Sequence, residues 1–170
     1  RGDSTVVVAA FGAFPGEAVS DTAVEAGLHL WTAAELDGPG SGPPAARARR
    51  PGTSAGVLSA VVPARPHLLS LEALDREGRR AERARYALRL SRRPEGVPGL
   101  SDLLLHRAGA SPARTLEEAS ARAAGPGPLR PGTPLGLYWE VYGPRRLLEG
   151  MEVSVALTDE DGDLLERLAG

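Results

Sequence analysis

HLLSLEALDREGRRAERARYALRL, residues 67–90, is the stretch of this sequence that decides the fold. Residues 67–74 and 84–90 both have the composition of strands, and 84–90 alternate apolar with polar or basic side chains, the period of a half-buried strand. Between them, residues 75–80 (DREGRR) place a glycine where a hairpin must turn. The stretch therefore predicts two antiparallel strands, and its inward face is expected to consist of Ala84, Tyr86, Leu88 and Leu90.

Similar strand patterns lie on both sides of this hairpin, at residues 5–11, 27–32, 55–62, 100–106, 135–142 and 151–157. The last two are the clearest. Residues 5–11 (TVVVAAF) are apolar almost throughout, which is typical of a strand buried on both faces or one at the start of a domain. In residues 27–32, Leu28 and Leu30 are predicted to lie on one face, with His29 and Trp31 on the other.

The spacing of these segments predicts an all-β fold, an immunoglobulin- or fibronectin-like antiparallel sandwich with one short helix. The helix is expected after Thr115, because Thr115-Leu-Glu-Glu118 has the form of a capping box. Gly- and Pro-rich residues 37–53 and 125–134 are predicted to be linkers, and 37–53 is not expected to pair in a sheet.

The predicted domains are a sandwich over residues 1–108, a linker with the helix over 109–126, and the start of a second, truncated sandwich over 127–170. One large sandwich over 1–170 is the alternative. The chain begins with Arg1 and shows no signal peptide, so we expect it to be a fragment or a processed product.

Composition excludes several classes of site. The chain has no cysteine, which removes disulfides, Cys-ligated metals and thiol nucleophiles. All of its 20 basic residues are Arg, and with 15 Pro and 21 Gly this is typical of a GC-rich genome. The 22 acidic residues bring the net charge to −2, so nucleic-acid binding is not expected. No apolar run is long enough to span a membrane.

Three motifs have the residue types of a catalytic or metal site but lack its context. Gly52-Thr-Ser54-Ala-Gly56 matches the nucleophile elbow of hydrolases, yet a strand-like run rather than a helix follows it. The histidines His29, His67 and His106 lack metal-ligand spacing. The acidic run 159–163 lacks the register of a calcium loop and is predicted to be a β-turn. We therefore expect no catalytic residue, no metal and no cofactor.

The predicted binding residues are aromatic. In residues 135–142, Tyr138, Glu140 and Tyr142 fall on one face of the predicted strand, where two phenols beside a carboxylate form a contact surface for a sugar or a peptide. The alternative is that they pack between layers. Adding the tryptophans gives the predicted set Trp31, Tyr138, Trp139, Glu140 and Tyr142.

Leu100-Ser-Asp-Leu103, then Pro131-Gly132, then Leu137-Tyr-Trp-Glu140-Val-Tyr142 resemble the β-sandwich portion of bacterial GWxTD-domain proteins, which carry an SDL-like strand followed by a Y-x-E-x-Y strand. The Gly-Trp-x-Thr-Asp motif itself is absent from the chain. The resemblance implies an exported or envelope-associated bacterial protein, periplasmic or secreted, of uncharacterised activity. It carries over no catalytic residues.

The leading functional prediction is a non-catalytic structural or protein-interaction module of a larger bacterial envelope-associated protein, whose partner is a protein. A carbohydrate-binding module that stacks sugars on the aromatic set is the alternative. An enzyme acting through Ser54 or the histidines is third, and it requires Ser54 in a strand-to-helix turn beside a histidine.

Overall fold

The computed structural model describes residues 4–15, 19–32, 43–92, 94, 96–125 and 129–168. Within these ranges the chain forms twelve strands, two short helices and a 3₁₀ turn at Asp21–Ala23. The strands are β1 Ser4–Gly12, β2 Val24–Thr32, β3 Ala46–Pro51, β4 Ala55–Pro63, β5 His67–Asp75, β6 Arg80–Leu88, β7 Gly99–Leu100, β8 Leu104–Arg107, β9 Leu135–Tyr138, β10 Val141–Tyr142, β11 Val155–Thr158 and β12 Leu164–Leu168. The helices are α1 Leu116–Ala121 and α2 Arg145–Leu148.

Two antiparallel sheets form the main body of the chain. One is a two-stranded sheet of β1 and β4, paired over nine residues each. The other has four strands in the order β3-β2-β5-β6. The chain passes between the sheets at residues 52–54, which leave β3 in one sheet and begin β4 in the other. The prediction of an all-β, sandwich-like fold is confirmed, while its immunoglobulin-like details stay a prediction.

The core lies between these two sheets. Its buried members alternate along β1, β2 and β4, as period-two strands with one buried face require. They are Val7, Ala9, Phe11, Ala26, Leu28, Leu30, Leu58, Val62 and Leu69. Leu28 and Leu30 are fully buried, and His29 and Trp31 alternate with them as predicted. Burying one such leucine contributes about 1.5–3 kcal/mol.

Strand β1 is buried on one face only. Val7, Ala9 and Phe11 face the core, but Val6, which precedes them on the opposite face, is 46% exposed. Of the two alternatives predicted for this segment, burial on both faces is wrong, and a strand at the start of a domain stays a prediction. A two-stranded sheet presents its outer side to solvent unless another layer covers it, whatever the apolarity of its residues.

Strand β3 overturns the prediction that residues 37–53 cannot pair. Ala46–Pro51 pairs antiparallel with β2, from Leu30 opposite Ala46 to Glu25 opposite Pro51. The segment is an edge strand, where proline is tolerated at the end because one side of the backbone needs no partner. Residues 37–42 of the predicted linker lie outside the described residues.

The β5–β6 hairpin turns where predicted, but β6 begins at Arg80 rather than at residue 84, and Tyr86 of the predicted inward face is 55% exposed. The carboxylate of Asp75 organises the turn. This side chain is 4% exposed and accepts the backbone N–H groups of Glu77 (3.1 Å) and Gly78 (3.0 Å) and the guanidinium of Arg80 (2.8 Å). A Cβ at Gly78 would lie 2.3 Å from Asp75 Oδ2, so the glycine is required by close approach. The left-handed residue of the turn is Arg79, with φ 52°.

A smaller element consists of β8, β9 and helix α1. β8 and β9 pair antiparallel with His106 opposite Gly136. The helix starts where predicted: the Thr115 hydroxyl accepts the N–H of Glu118 at 3.2 Å, and the Glu118 carboxylate accepts the N–H of Arg114 at 2.8 Å. With six residues, α1 depends on packing, and Ala119 is fully buried.

The chain divides into two compact units, each built from two separate stretches. The first comprises residues 1–95 and 102–139, and the second comprises 96–101 and 140–170. In the second unit β7 pairs with β10 and β11 pairs with β12. Over residues 96–101 and 140–165 of this unit, no side chain is buried. The domain boundaries predicted from sequence stay a prediction.

Three of the predicted strands are divided or shortened in the structure. Residues 135–142 form β9 and β10 with a break at 139–140, because β9 pairs with β8 whereas β10 pairs with β7. Residues 100–106 are divided between β7 and β8 in the same way. Of residues 151–157, only those from Val155 onward are in a strand. Alternation alone does not show that a strand changes its partner.

Candidate functional site

The five predicted binding residues do not occupy one continuous strand. Trp31 is on β2, and Tyr138 is the last residue of β9. Both belong to the first unit, and Trp139 is the last residue of that unit. Glu140 and Tyr142 belong to the second unit. The prediction that Tyr138, Glu140 and Tyr142 share one face assumed a single strand over residues 135–142. The strand is interrupted at 139–140, so alternation along one strand no longer relates these three side chains.

Glu140 and Tyr142 do interact with each other. The Tyr142 hydroxyl donates to the Glu140 carboxylate. The Glu140 N–H donates to Ser101 Oγ at 2.8 Å, and the Ser101 N–H donates to the Glu140 carbonyl at 2.9 Å. The first bond orients the half-exposed phenol and carboxylate toward each other, and the other two hold the backbone of Glu140 against Ser101.

Trp31 lies on the outer face of the four-stranded sheet. Its ring stacks on that of His29, with centroids 5.8 Å apart and planes inclined by 23°. His29 lies over Gly27, where a Cβ would meet the imidazole Nε2 at 2.8 Å. One side of the Trp31 ring is therefore occupied by the histidine.

Charged side chains occupy much of that outer face. Glu72 contacts His29 Nε2 at 4.0 Å and Arg83 at 2.9 Å, and Ser70 donates to Glu72 at 3.1 Å. The same face carries Glu25, which pairs with Arg49 (3.4 Å) and Arg76 (2.5 Å). Exposed pairs of this kind contribute little stability. They make this face polar and solvated.

Ser54 of the hydrolase-like pentapeptide lies between two strands, β3 and β4, and not in a strand-to-helix turn. Its N–H and hydroxyl donate to the same oxygen of Asp21, at 2.9 and 2.5 Å. The hydroxyl bond and then the N–H bond lower the pKa of Asp21 below its ordinary 3.8, because both stabilise the carboxylate. The contact ties the β3–β4 connection to the 3₁₀ turn.

The three histidines occupy three different settings. His29 stacks on Trp31, His67 begins β5, and His106 is buried over Gly136, where a Cβ would meet its ring at 2.4 Å. Among the described residues, no group of three or more His, Asp or Glu side chains is arranged to hold a metal ion.

The acidic run 159–163 forms the turn between β11 and β12. The Asp159 carboxylate accepts the N–H groups of Asp161 (3.1 Å) and Asp163 (2.8 Å), and Gly162 has φ 88°. These are the features of the predicted β-turn.

A pocket of about 630 Å³ was not found by sequence reasoning. It lies between the β4–β5 turn and the end of β6 and is lined by residues 64–67 and 87–91. His67, which lines it, is 3% exposed, and its Nε2 atom has no hydrogen-bond partner within the described ranges. An unpaired buried polar atom costs about 1–3 kcal/mol. The sequence signal was a histidine at an inward position of a strand, a position usually taken by an apolar residue.

Comparisons with models of known families, with curated proteins and with solved structures found no match to this chain. None of the helices in the described ranges has the length and apolarity needed to span a bilayer. The resemblance to GWxTD-domain proteins therefore stays a prediction.

Proposed function

We propose that this chain is a non-catalytic protein-interaction module of a larger, envelope-associated bacterial protein, and that it binds its partner through the sheet of β1 and β4. The observation that carries the proposal is the outer face of this sheet. Val6 on β1 and Val61 on β4 stand opposite each other in the register and are 46% and 65% exposed.

The two sheets differ in how their edges are protected. β1 and β4 span nine residues each and contain no charged side chain. By contrast, the edge strands of the other sheet, β3 and β6, carry three arginines each. Charged edges discourage pairing with another chain, whereas long uncharged edges invite it. This asymmetry supports a partner at the β1–β4 sheet.

The test uses charge substitutions at the exposed valines. Proteins retained by the chain from an envelope extract are identified, and binding of the purified partner is measured by calorimetry. We expect Val6→Lys and Val61→Lys to lower partner affinity at least tenfold, since a buried unpaired charge is costly. Leu74→Lys is the matched control, because Leu74 is 43% exposed on the other sheet.

Two results would contradict the proposal. One is equal binding by the valine variants and the control. The other is turnover of an ester, peptide or glycoside that a single substitution abolishes. The carbohydrate-binding alternative predicts glycan-array binding that Tyr138→Ala removes.

A further inference from the structure

The outer face of the four-stranded sheet carries an excess of positive charge. Directly opposite side chains of antiparallel strands lie on the same face, so the register that buries Leu28 opposite Ala48 and Leu71 places the alternate positions outside. The charged outward positions of the four strands are Glu25, Arg47, Arg49, Glu72, Arg83 and Arg85. Arg76 of the β5–β6 turn joins them through its ion pair with Glu25. Five arginines thus face two glutamates on a chain whose net charge is −2.

The count covers the strands and this turn, in which Glu77 and Arg79 offset each other. Residues 33–42, which connect β2 to β3 and include Glu35 and Asp37, lie outside the described residues.

The arginines of this face are more exposed than its carboxylates. The side chains of Arg49, Arg76 and Arg83 are 55–68% exposed, whereas those of Glu25 and Glu72 are 22% and 33% exposed. A body that approaches this face therefore meets guanidinium groups before carboxylates.

Two further arginines are not neutralised by a carboxylate. Arg47 and Arg85 are exposed, and neither makes an ion pair within the described residues. They lie in one row across the sheet, through His29 of β2.

The arginines are spread over two dimensions of the face. Arg47 and Arg49 are on β3, and Arg83 and Arg85 are on β6, the two edge strands of the sheet. Three strand spacings separate the edges, about 14 Å, and the two arginines of one strand are about 7 Å apart. A linear polyanion, lying along an edge or across the sheet, meets two of these four arginines. A planar anionic surface meets all four, because the long arginine side chains accommodate the twist of the sheet.

Apolar side chains share this face. Trp31, Leu68 and Leu74 occupy outward positions, and Leu74 is 43% exposed. Tryptophan is enriched where protein meets the surface of a bilayer, and arginine stems pack on apolar surface while their charged ends stay in water. An anionic bilayer offers phosphate groups to the arginines and an apolar layer beneath them.

We propose that this face docks on the surface of a bilayer that contains anionic phospholipid. The arginines pair with lipid phosphate groups, to which their planar fork donates two hydrogen bonds at once. The sheet of β1 and β4 covers the opposite side of the same sandwich, so Val6 and Val61 face away from the bilayer. Docking does not depend on the proposed protein-binding sheet and leaves that sheet free.

Co-sedimentation with vesicles tests the charge requirement. The chain is mixed with vesicles of phosphatidylcholine alone, with vesicles that also contain phosphatidylglycerol, and with soluble polyglutamate as a linear polyanion. Each arginine near an anionic surface contributes about fivefold in affinity, so an excess of three predicts a preference of about a hundredfold for the phosphatidylglycerol vesicles. Raising the salt from about 0.1 M to about 1 M shortens the screening length from about 10 Å to about 3 Å and is expected to abolish this preference. Polyglutamate is expected to bind more weakly per anionic group.

Charge variants assign the binding to this face. Arg47→Gln/Arg85→Gln is expected to weaken binding to phosphatidylglycerol vesicles about 25-fold. Arg114→Gln/Arg130→Gln is the matched control, because it removes the same charge from two exposed arginines outside the strands, and it is expected to change binding little. Glu72→Gln removes an opposing charge, so it is expected to strengthen binding about fivefold.

Labels show which face touches the lipid. Because the chain has no cysteine, Ala81→Cys and Val61→Cys each create a single site for a fluorophore. Ala81 lies opposite Leu74 on the docking face, whereas Val61 lies on the outer face of the other sheet. We expect spin-labelled phosphatidylglycerol vesicles to quench the label at position 81 and not the label at position 61.

Three results would each overturn the proposal. They are equal binding by the Arg47/Arg85 variant and its control, equal affinity per anionic group for polyglutamate and vesicles, and quenching at position 61 rather than at position 81.

Discussion

Acidic side chains accept backbone N–H groups next to the ends of strands. Asp75 shows this best, because its carboxylate accepts two backbone N–H groups and an arginine while almost completely buried. Glu82 does the same at longer range by accepting the N–H of Phe14 at 2.8 Å, and Arg80 lies over the Phe14 ring at 5.0 Å. Carboxylates here replace backbone pairing where strands end.

Asp21 and Ser54 make a pH-dependent contact. Because hydrogen bonds lower the Asp21 pKa in the folded state, their stabilisation is complete above the ordinary value of 3.8 and is lost as pH falls below it. We expect Ser54→Ala to lower the free energy of unfolding at pH 7 and to have a smaller effect at pH 3, measured by urea denaturation. Ser59→Ala, at an exposed serine of β4, is the control. A pH-independent difference would contradict this account.

At the scale of strands and helices, glycines mark where a histidine ring needs space. Gly136 is the clearest case, since its cross-strand neighbour His106 occupies the position of its missing Cβ. We expect Gly136→Ala to destabilise the β8–β9 strand pair by about 1–3 kcal/mol through overpacking, visible as faster amide exchange in residues 104–107. Gly125→Ala is the control, because a Cβ there meets nothing within 4 Å. Equal exchange in both variants would show that the ring moves aside freely.

Sequence reasoning located strands well where one face is buried and poorly at edges and interruptions. The alternation of Leu28 and Leu30 with His29 and Trp31 predicted both the strand β2 and its faces. The same reasoning missed β3, because only two of its side chains, Ala46 and Ala48, pack against the core. The rest of this edge strand is Arg and Pro, so its sequence lacks the apolar alternation of a strand. The reasoning missed the pocket beside His67 as well, since the β4–β5 turn and the end of β6 come together only through strand pairing.

At the scale of the whole molecule, burial is concentrated in the first unit. We expect Leu28→Ala, which empties a fully buried position, to destabilise the first unit by about 2–5 kcal/mol. Leu157→Ala in the second unit, where the side chain is 54% exposed, is expected to change stability by no more than about 0.5 kcal/mol. Peptide-resolved hydrogen exchange under native conditions distinguishes the two units. Similar losses for both variants would show that the second unit has a core of its own.

The two units are interleaved along the chain, and this has a consequence during synthesis. At a ribosomal rate of about 5–20 residues per second, roughly 2–8 s separate the appearance of Leu100 from that of its partner Val141. Residues 104–107 are likewise synthesised before residues 135–138, the strand with which they pair. Strands β1 to β6 can pair during that interval. The nascent chain therefore carries a finished sandwich followed by strands without partners, and that period is when a chaperone would protect it.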